Sequence, residues 1–179
     1  AIEAVMIEHI GVLETMAPQD FLDFRAKLAP ASGFQSVQFR EIEFLSGLKD
    51  PDYLNRLAPE EEERARLERR LGEPTLWDAF CNLLDARGLP MPADDDAARR
   101  TSLVEMARDR ANRGAEFALS EELLAHDEQF RLWRAHHVLM VERQIGMKSG
   151  TGGSSGAPYL RATLDKRFYP ELWELRSLL

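Results

Sequence analysis

One of the four histidines in the chain, His137, lies in the middle of an apolar stripe when its surroundings are drawn as a helix. At about 3.6 residues per turn, the same stripe contains Phe130, Trp133, Val141 and Ile145. The preceding histidine points about 100° away from this stripe. Two interpretations follow. His137 is a core histidine hydrogen-bonded to a neighbour, or it is a metal ligand in an apolar pocket, as when a helix presents an axial imidazole to a haem iron.

A zinc site with several protein ligands is not supported by the spacing. No second histidine or cysteine follows His137 at i+3 or i+4, and the sequence contains neither His-Glu-x-x-His nor Cys-x-x-Cys. A haem requires only one strong protein ligand, so the pattern leaves the haem and the core histidine open as alternatives.

Two arginines could bind an anion. Arg25, in the sequence DFLDFRAKL, follows two phenylalanines, and its guanidinium presents a planar fork that suits a carboxylate. The alternative is an ordinary surface ion pair. Arg40, in the sequence SVQFREIEF, leaves the same two possibilities open.

The segment KSGTGGSSG, residues 148–156, lies between two helical patterns. Glycines permit positive φ and allow backbone N–H groups to surround an anion, and Thr151 adds a hydroxyl. The segment follows His137 closely enough to fold back over whatever that residue binds. One interpretation is therefore a loop that closes on a carboxylate or propionate and becomes ordered with its ligand. A disordered connector is the other.

The composition is that of an ordinary globular protein, since 44 % of the 179 residues are apolar and 30 % are charged. The formal net charge of −8 argues against nucleic-acid binding, which usually requires a basic surface. The single cysteine, Cys81, cannot form an internal disulfide and fits a reducing compartment; a small buried side chain is its simplest role. No apolar run approaches the length of a membrane span.

Apolar residues recur at spacings of three and four along most of the chain, and strand-like alternation is absent, which predicts an all-α fold. In the first helix we expect one apolar side, consisting of Ile2, Val5, Met6, His9, Val12, Leu13 and Met16. The predicted helices are residues 1–16, 18–29, 34–47, 59–70, 75–87, 97–113, a long helix from an N-cap at Ser120 to about Gly146, and one or two more.

We predict one all-α domain of helical-bundle type over residues 1–179, with residues 49–116 as a peripheral helical lobe. The charge-dense run at 60–70 within that lobe is interpreted as a solvated helix face with acid–base pairs at i, i+4.

Three stretches together resemble the tryptophan 2,3-dioxygenase family. They are VLETMAPQDFLDFRAKLAPASGFQSVQFREIEFLSG, FRLWRAHHVLMVERQIGMKSGTGGSSG and YLRATLDKRFYPELWELR. The motifs PASGFQS and GTGGSSG, in this order, are highly specific, and the similarity covers both ends of the chain with a looser middle from about residue 50 to 115. The resemblance implies an all-helical, haem b-dependent, cytoplasmic enzyme that is typically a homotetramer. Such an enzyme inserts both atoms of O2 across the indole C2–C3 bond of L-tryptophan and releases N-formyl-L-kynurenine.

The resemblance also implies roles for individual residues. The axial histidine falls on His137, the arginine that binds the substrate carboxylate on Arg25, and the loop threonine at the amino-acid end of the substrate on Thr151. Phe21 falls on a position that lies against the substrate pocket, where relatives often carry tyrosine. The remaining implied haem contacts are Ser32, Gly33, Val141 and Ile145.

The family has an N-terminal segment with an HDEMLF-like stretch that holds the distal-pocket histidine, and nothing in this sequence matches it. His9 is not a substitute, because it falls in the helix that follows that segment. The chain is thus the C-terminal part of a longer protein or a shortened relative, and no catalytic residue is assigned within it. Two alternatives stay open: a haem-binding helical protein without dioxygenase activity, and a relative that oxidises another indole or aromatic amino acid.

Overall fold

The computed structural model describes residues 2–28, 36–57, 60–150 and 154–179. Within these ranges the chain forms ten α-helices and no β-strand, which confirms the predicted all-α class. No helix in this part of the chain is both long enough and apolar enough to cross a membrane. The helices are α1 (Ile2–Glu14), α2 (Pro18–Leu28), α3 (Val37–Ser46), α4 (Tyr53–Leu57), α5 (Glu61–Gly72), α6 (Leu76–Ala86), α7 (Asp96–Arg108), α8 (Arg110–Ile145, kinked at Arg113), α9 (Ala157–Arg161) and α10 (Pro170–Leu178).

Contacts within the chain group its residues into two compact units. Unit 1 comprises Ala1–Ser36 and His126–Lys166, and unit 2 comprises Val37–Ala125 and Arg167–Leu179. Helix α8 therefore contributes its first part to unit 2 and its second part to unit 1. The predicted lobe, residues 49–116, falls within the numbering of unit 2 and stays a prediction.

Unit 1 has an apolar core drawn from α1, α2, the second part of α8, and α9. Full burial of one aliphatic or aromatic side chain contributes about 1.5–3 kcal/mol, so this cluster is a main source of the unit's stability. Its buried members are Ile10, Phe21, Val138, Met140, Val141, Ile145, Ala157 and Leu160.

The side of helix α1 that packs against this core differs from the side that the sequence pattern predicted. Ile10, which was not assigned to the apolar side, is buried, whereas Ile2, Val5 and Val12 are 70 %, 59 % and 61 % exposed. The predicted side covers a wide arc of the helix, and only one edge of that arc, which includes Leu13, packs inward.

Proline and glycine mark helix ends where the sequence predicted them. Pro18 begins α2, because its fixed φ suits the first helical turn and its missing N–H is not needed there. Gly47 has φ 118° directly after α3, and Gly146 has φ 61° directly after α8. Both glycines adopt the positive φ that ends many helices.

Helix α8 begins ten residues before the predicted N-cap at Ser120. Ser120 lies inside the helix, where its Oγ donates a hydrogen bond to the Phe117 carbonyl oxygen at 2.7 Å, so that prediction is wrong. The boundary lies at Asp109, whose carboxylate accepts a hydrogen bond from the Asn112 backbone N–H at 3.3 Å. Asp109 also separates α7 from α8, so the predicted helix over 97–113 is two helices.

In unit 2 the charge-dense helix α5 does more than present a solvated face. Arg64 and Glu68 form the predicted type of i, i+4 pair, at 3.8 Å. In addition, Arg66 and Arg70 reach Glu41 of α3, with nitrogen–oxygen distances of 2.5 and 3.5 Å. These ion pairs link α5 to α3.

Arg40 has a structural role in unit 2. Its buried guanidinium pairs with the buried carboxylate of Glu43, one turn later on α3, and lies 4.4 Å from the centre of the Tyr53 ring. Because this arginine is buried and paired within its own unit, it is not a surface ion pair, and its role as an anion ligand stays a prediction.

Candidate functional site

His137 lies on the part of α8 that belongs to unit 1, and its ring is partly buried. The indole of Trp133, one turn earlier, has its ring centroid 5.1 Å from that of the imidazole. Burial lowers the pKa of His137 to about 4, because the charged imidazolium is poorly solvated in these surroundings. At neutral pH the ring is therefore uncharged, which is the form that binds a metal ion.

The apolar stripe around His137 is buried as predicted. Phe130 is 1 % exposed, and Val141 and Ile145 are each 8 % exposed within the core of unit 1. The side chain of the adjacent His136 is 43 % exposed, and its Nδ1 lies 3.7 Å from a carboxylate oxygen of Glu14 of α1. Of the two neighbouring imidazoles, His137 alone lies on the apolar side of the helix, and its assignment as haem ligand stays a prediction.

Helix α2 places Phe21 and Arg25 in the same unit. Phe21 is buried in the core of unit 1, and its backbone N–H donates to the Ala17 carbonyl oxygen at 3.0 Å, in the first turn of the helix. Arg25 is partly buried, and its Nη2 donates a hydrogen bond to the Ser149 carbonyl oxygen at 2.7 Å. Among the described residues Arg25 forms no ion pair, so its remaining N–H groups are not committed to a carboxylate of this part of the chain.

The hydrogen bond from Arg25 ties the beginning of the glycine-rich segment to α2. The described ends of that segment also contact each other: the Gly150 N–H donates to the Ser154 carbonyl oxygen at 3.0 Å. Gly156 has φ 71°, and a Cβ there would lie 2.4 Å from the Lys148 carbonyl oxygen. Glycine is thus required at this position by backbone conformation and by space, and the two interpretations of the whole segment stay predictions.

Three of the predicted site residues, Ser32, Gly33 and Thr151, lie outside the described residues, so their contributions stay predictions.

One polar residue of this region was missed in the sequence. Gln144 is 3 % exposed and two turns after His137, and its Nε2 donates to the carbonyl oxygens of Leu13, Glu14 and Met16 at 2.9, 3.3 and 3.1 Å. The available signal was a glutamine between the apolar residues of a helical stripe. The Ser149 carbonyl oxygen, which accepts from Arg25, could not be predicted from the sequence, because every residue has a backbone carbonyl.

Within the described residues no three histidine, cysteine or acidic side chains are grouped so that they could hold a metal ion together. The residues present do fit a haem, which takes one strong ligand from the protein and otherwise requires apolar walls. His137 is uncharged at neutral pH, is partly accessible and lies on the helix face that carries Val141 and Ile145 of the apolar core.

The fold and the site define an all-α protein that presents one uncharged imidazole on an apolar helix face. The same unit holds an arginine that is bound to a glycine-rich loop. A model of the family described as tryptophan 2,3-dioxygenase matches residues 1–83 and 91–179. The chain belongs to the tryptophan 2,3-dioxygenase family, which confirms the resemblance seen in the sequence.

Individual relatives agree with the family model. Proteins named tryptophan 2,3-dioxygenase from Nocardioides sp. (strain ATCC BAA-499 / JS614), Herpetosiphon aurantiacus and Myxococcus xanthus are 59 %, 44 % and 39 % identical to the chain. The alignments cover 98 %, 96 % and 98 % of this chain, and 66 %, 68 % and 64 % of those proteins. The chain therefore spans about two thirds of the length of these relatives.

Proposed function

We propose that the chain acts in a haem-dependent dioxygenase that inserts O2 across the indole C2–C3 bond of L-tryptophan and gives N-formyl-L-kynurenine. The observation that carries this proposal is the membership of the chain in the tryptophan 2,3-dioxygenase family. The hydrogen bond of 2.7 Å between Arg25 and the Ser149 carbonyl oxygen supports it, because this bond holds the proposed carboxylate ligand against the glycine-rich loop, within the unit that also contains His137.

His137 would bind the iron of haem b through its imidazole. Its pKa of about 4 keeps the imidazole free of a competing proton throughout the neutral range. Val141 and Ile145, one and two turns further along the same stripe, are proposed as apolar haem contacts. Ser32 and Gly33 are proposed to lie beside the haem. When bound, the haem supplies the redox chemistry that O2 requires to react with a closed-shell indole.

Arg25 would hold the carboxylate of L-tryptophan. One N–H of its guanidinium donates to Ser149, and the fork has further N–H groups with which to bind a carboxylate in the same plane. Thr151, two residues after Ser149, is proposed to contact the amino-acid end of the substrate. Fixing both charged groups of the zwitterion orients the indole, and orientation of this kind can lower a barrier by several kcal/mol.

Phe21 would form part of the apolar wall of the indole pocket. Where relatives often carry a tyrosine, phenylalanine retains the aromatic face and lacks the hydroxyl, so this wall offers no hydrogen bond to the indole N–H. An apolar wall also excludes water from the reacting centre.

The assembly and location of the protein are proposed as well. We infer a homotetramer, as the family resemblance implies, which sedimentation equilibrium of the complete protein would measure. A cytoplasmic location agrees with Cys81, an unpaired cysteine whose pKa is raised to about 12 by burial and which therefore stays a neutral thiol.

Turnover of L-tryptophan by the complete, haem-loaded and reduced protein tests the proposal. We expect O2-dependent formation of N-formyl-L-kynurenine, and the substitution His137→Ala should remove the Soret band of the bound haem. His136→Ala, one residue away on the exposed flank, serves as the matched control and should retain that band. A haem-loaded protein that leaves tryptophan intact, or a normal Soret band in His137→Ala, would contradict the proposal; a substrate screen then identifies any other indole.

A further inference from the structure

We propose that Gln144 is a positioning residue for the substrate arginine. By binding the end of α1, its side chain fixes α2, which carries Arg25, relative to α8, which carries His137. This inference rests on the function proposed above for Arg25 and His137.

The hydrogen bonds of Gln144 are directed at a helix end. The last carbonyl groups of an α-helix lack the usual i+4 partner and take donors from elsewhere. At the half-buried end of α1 the Leu13 carbonyl oxygen also accepts from the Met16 N–H at 3.3 Å. Gln144 Nε2 donates to the carbonyl oxygens of Leu13, Glu14 and Met16, so the two amide N–H groups are shared among three acceptors. Each of these acceptors lies within or directly after the last turn of α1.

This contact determines where α2 begins. Only Ala17 separates Met16 from Pro18, the first residue of α2, so a fixed Met16 carbonyl fixes the start of that helix. Arg25 lies two turns into α2, and its hydrogen bond to the Ser149 carbonyl oxygen holds the helix at a second place. Ser149 follows Gln144 by five residues in the chain. The end of α8 and the residues after it therefore hold α2 at two places, near its start and at Arg25.

The chemistry of the glutamine indicates that its donors are what the site requires. The other amide atom, Oε1, is buried and accepts no hydrogen bond from the described residues. A buried carbonyl oxygen without a partner is destabilising, and an apolar side chain of the same size would avoid this penalty. If the glutamine only filled space, a methionine at this position would give a more stable protein. Because the glutamine donates to three carbonyl oxygens, no apolar side chain can replace it.

The test is Gln144→Met in the complete, haem-loaded protein. We expect the KM for L-tryptophan to rise about tenfold with an unchanged Soret band, because His137 lies on α8 itself and does not depend on the position of α2. Amide hydrogen exchange over residues 13–21 should become faster. Gln144→Leu also removes both N–H groups without adding a buried carboxylate, and it provides the same test if the methionine variant does not fold.

Two controls separate positioning from general stability. Arg143→Met changes the exposed neighbour on α8 and should leave both readouts at their wild-type values. Leu160→Val removes a methylene from the same core and should lower the unfolding temperature without raising the KM.

The possible results distinguish failure of the positioning role of Gln144 from failure of the proposed function. An unchanged KM in a folded Gln144 variant, or an equal rise in Leu160→Val, would overturn the positioning role. If the wild-type protein does not use L-tryptophan at all, the proposed function fails, and amide exchange over residues 13–21 then decides on its own. Unchanged exchange in that region would show that Gln144 does not hold the end of α1.

Discussion

The imidazole of His137 loses hydration on folding, and this loss makes the stability of the haem-free protein depend on pH. The pKa is about 4 in the folded chain, against an ordinary value of 6.5. Between these values the unfolded chain binds the proton and the folded chain does not, so the free energy of unfolding decreases as the pH falls. The stability that the neutral imidazole retains is fully present above pH 6.5. It is lost as the pH falls towards 4, and the free energy of unfolding decreases by about 3 kcal/mol over that range.

Urea unfolding of the haem-free protein at pH 7 and pH 5 measures this effect. The wild-type protein should lose about 2 kcal/mol more stability over this interval than His137→Gln, which has no titrating group at that position. His136→Gln, which makes the same change one residue away, provides the matched comparison. Parallel curves for wild type and His137→Gln would show that the imidazole is not desolvated in the folded protein.

The contribution of Arg25 to substrate binding can be measured separately from that of His137. Arg25→Ala should weaken L-tryptophan binding to the haem-loaded protein by about 1.5–3 kcal/mol, the usual range for a hydrogen bond to a charged group. The exposed Lys27, on the same helix, provides the control, because Lys27→Ala removes an equal charge without touching the loop. Equal affinities of the two variants, measured by titration of the haem absorbance, would exclude Arg25 as the carboxylate ligand.

At the level of elements, two glycines should respond in opposite directions to the same substitution. Gly156 precedes α9 with φ 71°, and its new Cβ would meet the Lys148 carbonyl oxygen, so Gly156→Ala should destabilise the protein by more than 1 kcal/mol, an order-of-magnitude value. Gly11 lies inside α1 with no atom within 4 Å of an added Cβ, so Gly11→Ala should stabilise by about 0.5–1 kcal/mol. Thermal unfolding of both variants beside wild type checks the pair. A stabilised Gly156→Ala would show that neither the positive φ nor the approach of the Lys148 carbonyl oxygen constrains this position.

Element ends marked by local chemistry were predictable from the sequence. Pro18 and Gly146 mark their helix boundaries because fixed or positive φ is a property of the residue itself. The prediction at Ser120 was wrong although it also rested on residue type. Serine is a common N-cap, but inside a helix its hydroxyl can donate to a carbonyl oxygen one turn earlier, as Ser120 does. Asp109 provided the correct signal, with Asn112 three residues later, but it lay inside a charged stretch with helical periodicity.

Relations between elements were less predictable. The apolar stripe of His137 was correct because burial there follows the periodicity of a single helix. The inward side of α1 was not, because a wide apolar arc leaves several orientations open and the neighbouring helices select one of them. The hydrogen bond from Arg25 to Ser149 joins residues 124 positions apart through a backbone atom, and no residue type records such a partner.

On the scale of the whole molecule, the proposed site is drawn from two distant ranges of the chain that form one unit. Arg25 and Phe21 come from the first range of unit 1, and His137 and the loop come from the second. Unit 2 contains its own apolar core and its own ion pairs between helices α3 and α5. A cofactor held by His137 should therefore act first on the local stability of unit 1.

Haem binding should slow amide exchange mainly in unit 1. A ligand present at 100 times its Kd stabilises the state that binds it by about 2.7 kcal/mol, and local openings that disrupt the site are suppressed by that amount. We expect stronger protection in α2, in α8 from His126 onward and in α9 than in α6 and α7, measured by hydrogen exchange and mass spectrometry with and without haem. His137→Ala should abolish the difference. Equal protection of α6 and α7, or protection that persists in His137→Ala, would place the haem elsewhere in the molecule.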